Sequence, residues 1–132
     1  MAYLVDSDWV IDYLAGDSDA LALLDRLADD RIAISVVTYM EVYQGVERSV
    51  DPGAAEAKLA AFLASVPVLP ISPAVARRCA GLRETLRQRG KRVNNRALDL
   101  LIAATAIEHD LTLVTRNVQD YADIAELSMF SG

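Results

Sequence analysis

The sequence predicts an α/β fold: a mostly parallel sheet with helices on both faces. Three observations carry this expectation. Short apolar runs at Tyr3 to Val5, Ile32 to Val37 and Leu111 to Val114 have the length and composition of buried strands. Longer segments between them repeat apolar residues every three or four positions, the period of a helix. Strands that alternate with helices pair in parallel through crossover connections.

Each element has a local reason. The first strand stops at Asp6, and Ser7 is placed to cap a helix carrying Trp9, Val10, Tyr13 and Leu14, closed by Gly16. A second helix is expected from about Ser18 to Asp29, with Leu21, Leu24, Leu27 and Ala28 inward. After the strand at Ile32 to Val37, Thr38 opens a helix running through Glu41, Val42 and Val46. Asp51 caps the next, with Pro52 in the first position, where a missing N–H costs nothing. Pro67 and Pro70 confine the run Val66 to Ile71 to an edge or an irregular strand. Ser72 and Pro73 start a long helix to about Arg89, ended by Gly90. The loop 91–94 leads to a helix with Asn94 or Asn95 as cap and Leu98, Leu101, Ile102, Thr105, Ala106 and His109 on one broad face. Leu111 to Val114 then suits a central strand, and the tail from Asp120 to Phe130 offers a turn and an edge strand.

With 132 residues, 53% of them hydrophobic, the chain is expected to form one domain, 1–132, around a single core. No apolar run approaches the roughly 18 residues of a membrane span, and no signal peptide is visible, so the expected location is the cytoplasm. Cys79 shares an apolar helix face with Val75, Leu82 and Leu86 and reads as a small buried hydrophobe. One Cys and one His exclude an ordinary zinc site. The net charge of −6 is unevenly spread, because Arg77 to Arg96 holds eight basic residues and one acid, Glu84. A basic strip on an acidic body can still bind nucleic acid.

In open parallel sheets, function gathers beyond the carboxyl ends of the strands. Asp6 ends the first strand, Asn117 follows the last, and Glu41 and Asp99 fall in the opening turns of helices, so all four can converge. Each has a structural alternative: Asp6 as a strand-ending cap, Thr38-x-x-Glu41 as a capping box, Asp99 as an acid favouring the helix dipole. A cap contributes about 0.5–2 kcal/mol. Two carboxylates about 4 Å apart repel by roughly 4 kcal/mol at an effective dielectric near 20. Converging acids therefore require a cation. Oxygen ligands without His or Cys select Mg²⁺ or Mn²⁺, which keep several waters and bind phosphate.

The stretches YLVDSDWVIDYL, SVVTYMEVYQG and ALDLLIAATAIEHDLTLVTRNVQDY resemble a PIN domain, and more closely the VapC toxins of bacterial toxin–antitoxin pairs. The resemblance spans nearly the whole chain, and its third segment is the most specific. It implies a three-layer α/β/α sandwich, a metal-dependent endoribonuclease and a homodimer inhibited by a cognate VapB-like antitoxin. It assigns Asp6, Glu41 and Asp99 to the acidic cluster. Mg²⁺ or Mn²⁺ would be held by Asp6 and Asp99, with Glu41 ligating directly or through water, for in-line hydrolysis leaving a 5′-phosphate.

The chain departs from the family pattern at the fourth position, where Asn117 stands in place of a common acid; Asp120, three residues on, is expected within reach of the site directly or through water. Asp8 is a further neighbour of Asp6. Arg87, Arg89, Lys91, Arg92, Arg96 and Arg116 are the candidate RNA contacts. Trp9, Tyr13, Tyr39, Met40 and Tyr43 are candidates for a groove holding an antitoxin helix, whose Arg or Lys arm would reach the acids. His109, ten residues beyond Asp99 on one helix and so about 15 Å away, is excluded from the chemistry. The alternative function is a catalytically inactive PIN-like scaffold that binds RNA or a partner, for which Asn117 is the best support. A phosphoacceptor receiver domain would need a Lys after the last strand, where the chain has Arg116. G-x-G-x-x-G, Walker and G-x-S-x-G motifs are absent.

Overall fold

The computed structural model describes residues 1–131. Its centre is a four-stranded, all-parallel sheet of β1 (Ala2–Val5), β2 (Arg31–Ser35), β3 (Val68–Leu69) and β4 (Thr112–Val114), in the order β3-β2-β1-β4. The helices are α1 (Ser7–Leu14), α2 (Ser18–Leu27), α3 (Val36–Glu47), α4 (Pro52–Leu63), α5 (Pro73–Gln88) and α6 (Ala97–Glu108).

Strand alternation sorts the core into two layers. Tyr3, Val5, Ile32 and Ile34 pack with Val10, Leu24, Val42, Leu59 and Phe62 on the α1–α4 face. Leu4, Ala33 and Leu113 face the other way, onto Val75, Leu82, Leu86, Leu100 and Ile102 of α5 and α6. The result is the expected α/β/α sandwich. Cys79 is buried in the second layer, which raises its thiol pKa.

Several local expectations change. β4 lies at one edge of the four strands rather than in the centre. Its outer side is not bare, because Leu113 N–H donates to Ser128 C=O at 2.9 Å and Phe130 N–H to Leu113 C=O at 2.8 Å. The tail therefore shields the edge against wrong pairing. The buried Ser35 ends β2 and caps α3 by accepting from Thr38 N–H at 3.1 Å, so α3 starts two residues before Thr38 and Thr38-x-x-Glu41 is not a capping box. Asp6, not Ser7, caps α1. Asn94 and Asn95 lie in a 3₁₀ turn, and the side chain of Arg96, the residue before α6, caps nothing. On α6, Leu98 and His109 are exposed while Leu100, Ala103 and Ala104 are buried, so burial wraps around its middle instead of following one stripe. Ala28 is likewise exposed. Asp51 and Ser72 cap α4 and α5 as expected, and Gly90 (φ 77°) supplies the left-handed residue past α5.

The order β3-β2-β1-β4 puts a topological switch at β1. The chain leaves β1 toward β2 on one side, and β4 later docks on the other. In such sheets the switch point places the ligand crevice at the carboxyl ends of the flanking strands, here β1 and β4.

Candidate active site

Asp6 is the first residue past β1, and its N–H donates to Val114 C=O at 2.9 Å, which ties it to the end of β4. It is 4% exposed. Its Oδ1 accepts from Ser7 N–H at 2.8 Å. Its Oδ2 accepts from the Thr115 hydroxyl at 2.7 Å and from the Tyr121 hydroxyl at 3.3 Å. A carboxylate this buried needs donors on both oxygens, and it has them without any Lys or Arg.

Asp99 enters from the first turn of α6, and its Oδ1 also accepts from the Tyr121 hydroxyl at 3.3 Å. Burial, then the charge of Asp6, raise the Asp99 pKa, against a lowering by the Tyr121 hydrogen bond; Asp120 raises it further and Arg96 lowers it. Glu41 enters from α3. Its pKa is raised by burial and by the charges of Asp6, Asp99 and Asp8, against a hydrogen bond from the Ser7 side chain. Burial and the two carboxylates push the Tyr121 phenol far up, so it stays a neutral donor.

Asp8 is drawn into the rim. It accepts from Trp9 N–H at 2.7 Å, Arg116 N–H at 3.1 Å and the Asn117 amide nitrogen at 3.2 Å. Its pKa is raised by burial first and by Asp6 second. Asn117 therefore turns a donor toward Asp8. Asp120 sits in the 3₁₀ turn 118–121, exposed, close enough for its charge to act on Asp99.

The basic candidates divide by what they already hold. Arg96 makes two 2.8 Å hydrogen bonds to Asp123 and one of 2.9 Å to Asp120 C=O. Arg116 pairs with Asp12 at 3.0 Å and lies 3.7 Å over the Trp9 ring. Arg87 pairs with Glu84 at 2.8 Å, and Lys91 stands 3.9 Å from Asp123. Arg89 and Arg92 are exposed and make no ion pair among the described residues. Arg83, Arg87, Lys91 and Arg92 line one cleft with Asn94 and Asn95.

A family model for the PIN domain matches residues 3–127. The chain belongs to the PIN-domain family. Ribonuclease VapC2 of Rickettsia felis is 30% identical to it over 131 residues, covering 96% of this chain and 95% of the relative. Ribonuclease VapC10 of Mycobacterium tuberculosis is 34% identical over 125 residues, covering 94% and 89%. VapBC2 from Rickettsia felis, solved bound to a DNA fragment from their promoter, superposes with a TM-score of 0.86 at 29% identity over 98% of both chains. FitAcB from Neisseria gonorrhoeae gives 0.77 at 27% identity, covering 99% and 97%. These relatives place this PIN domain in the VapC branch.

The site of this PIN domain suits a hard divalent ion by its donor chemistry. Asp6, Asp99 and Glu41 offer carboxylate oxygens at one end of the sheet, and none of the three forms a salt bridge among the described residues. Among the described residues, no three carboxylate, imidazole or thiolate groups already stand at the spacing of a closed metal cage. Mg²⁺ does not require one, since it takes one or two carboxylates and completes its shell with water and phosphate.

Sequence reasoning missed two hydroxyls, Thr115 and Tyr121. Thr115 carries a faint signal, a polar residue directly after an apolar strand. Tyr121 carries none, because an aromatic in a polar tail reads as a core anchor.

Proposed function

We propose that this PIN domain is a Mg²⁺- or Mn²⁺-dependent endoribonuclease acting as the toxin of a VapBC-type pair in the cytoplasm. One observation carries the reading: Asp6, buried at the end of β1, has Asp99 and Glu41 acting on the same crevice, with both neighbours' pKa values raised. Acids held together against their own repulsion are an arrangement that a cation and a phosphate would stabilise. The relatives named ribonuclease VapC support the same chemistry.

In this reading Asp6 and Asp99 hold the ion, and Glu41 joins directly or through water. When bound, the ion supplies Lewis acidity toward a phosphate oxygen and lowers the pKa of a water. The chain's residues do the rest. Thr115 and the Ser7 N–H fix the Asp6 carboxylate, and the raised pKa of Glu41 supports a role for it as acceptor of a proton from an attacking water. Asp8, Asn117 and Arg116 form the rim over which an RNA strand would pass.

The partner in this reading is a small antitoxin, which the match to VapBC-5 of Mycobacterium tuberculosis, a member of the VapBC family of toxin–antitoxin systems, supports. Val36, Tyr39, Met40, Tyr43 and Gln44 line an open, mostly apolar groove along α3, with Met40 exposed, which suits an amphipathic helix. Tyr13 instead packs on Phe62, and Trp9 lies under Arg116. An arginine following such a helix would meet the carboxylates that otherwise hold the ion.

Incubating the purified chain with total RNA tests the activity. Cleavage should require Mg²⁺ or Mn²⁺, stop in EDTA, leave 5′-phosphates and cease on adding the co-expressed neighbour protein. Undiminished cutting in EDTA would overturn the metal reading. RNA binding without cutting in either metal would leave the inactive scaffold, which Asn117's engagement with Asp8 favours.

A further inference from the structure

Tyr121 is 0% exposed, and its ring belongs to the core layer formed with Leu100, Ile124 and Leu127. Its hydroxyl therefore reaches Asp6 and Asp99 from the core side, 3.3 Å from an oxygen of each. These acids come from opposite parts of the chain, the end of β1 and the first turn of α6. Nothing covalent holds them together, and like charge drives them apart. The Tyr121 hydroxyl is the only group that hydrogen-bonds to both among the described residues. The second Asp99 oxygen accepts no hydrogen bond among the described residues.

We propose that Tyr121 is a positioning residue for the metal site: its hydroxyl clamps Asp6 and Asp99 from beneath and presents the free Asp99 oxygen to an incoming divalent ion. The proposal rests on the reading of Asp6 and Asp99 as ligands. A divalent ion such as Mg²⁺ needs its ligand oxygens about 2.1 Å from itself, so two of them must lie within about 4 Å of each other. A hydroxyl within reach of both carboxylates bounds their separation before any ion arrives. This lowers the cost of assembling the site, as partners behind metal ligands generally do.

Y121F removes one oxygen and keeps the ring that fills the core. Mn²⁺ binding is to be measured by calorimetric titration on wild type, Y121F and D99N, with a thermal melt of each metal-free protein. The Y121F dissociation constant for Mn²⁺ should rise roughly ten- to a hundredfold. Its RNA cleavage should recover toward wild type at saturating Mn²⁺, a rescue that a purely structural role would not produce. Wild-type affinity in Y121F would overturn the proposal and leave the metal reading intact. So would loss of cooperative melting, since it would assign the hydroxyl to the fold. If wild type itself bound no Mn²⁺, the metal reading would fail, and the proposal with it.

Discussion

Asp99 and Asp123 are both partly buried acids with Arg96 nearby, yet they meet opposite electrostatic fates. Asp123 takes two 2.8 Å hydrogen bonds from the Arg96 guanidinium, which hold its pKa below the ordinary range. Asp99 takes one shared hydroxyl at 3.3 Å, and burial with the charge of Asp6 raises its pKa. A guanidinium that already influences Asp99 is thus aimed at its neighbour. The difference teaches that the Asp99 cluster is not short of cations by accident of composition. The fold commits its cation next door and leaves Asp6, Asp99 and Glu41 for something else.

The sharpest way to break that comparison is to neutralise each acid in turn. D99N removes repulsion along with a proposed ligand. RNA cleavage should fall by at least about a hundredfold, and the metal-free protein should melt higher than wild type. D123N removes the charge that pairs with the Arg96 guanidinium, which is only 17% exposed and keeps its bond to Asp120 C=O. It should lower stability by about 1.5–3 kcal/mol, the range for hydrogen bonds to charged groups, with a much smaller loss of cleavage. Melting curves and initial rates on both variants decide the matter. Shifts of the same sign in metal-free melting temperature would end the distinction between a structural and a functional acid.

The three-layer fold was legible because strand alternation and helix period are properties of the chain itself: Tyr3 and Val5 face one core layer and Leu4 the other, as a period of two requires. Asp6 and Asp99 were legible for a related reason, being acids where burial was otherwise expected. Caps were less so. Ser35 and Thr38 both have the chemistry of an N-cap, and only the point at which β2 loses its partner decides between them. Sheet order was not legible, since β4 has the composition of a central strand yet lies at one edge, covered by a tail whose pairing depends on distant residues. Tyr121 shows the limit. Its ring follows the rule for aromatics, and its hydroxyl follows from an encounter 115 residues apart in sequence.

Titration compares the same two regions without mutation. Asp8, Glu41 and Asp99 have pKa values raised in the fold, so each binds its proton more tightly folded than unfolded. Their stabilising contribution is complete below the ordinary values of 3.8 and 4.5 and is lost as pH rises through the raised ones. Asp123 does the reverse: its contribution is present above 3.8 and is lost as pH falls through its lowered value. The metal-free protein should therefore become more stable as pH falls from neutrality through the raised values of Asp8, Glu41 and Asp99, before Asp123 begins to protonate. Saturating Mg²⁺ should flatten that slope, because the ion replaces the protons. A metal-free melting temperature that falls steadily over the same interval would mean that the cluster is not held against its own charge.

The smallest expected effect extends the contrast between paired and unpaired charge to the basic strip. Arg87 is matched by Glu84, and Lys91 leans toward Asp123. Arg89 and Arg92 have no acid among the described residues, and Arg92 lines the cleft with Asn94 and Asn95, two residues before α6 begins. A cation already paired within the protein gains less from a phosphate, since it must give up one partner to take the other. Unpaired arginines should then contribute most of the counterion release when a single strand tracks toward Asp99. Binding is best measured in the D99N background, so that the RNA survives the titration. Replacing Arg89 and Arg92 together by Ala should reduce the log–log salt slope by roughly 0.7 for each lost contact and leave the melting temperature near that of the parent. Replacing Arg87 alone should change the slope less than replacing Arg92 alone. If the double variant keeps both its affinity and its slope, the strand approaches Asp99 from another side, and the Arg116 rim above Asp8 becomes the path to test.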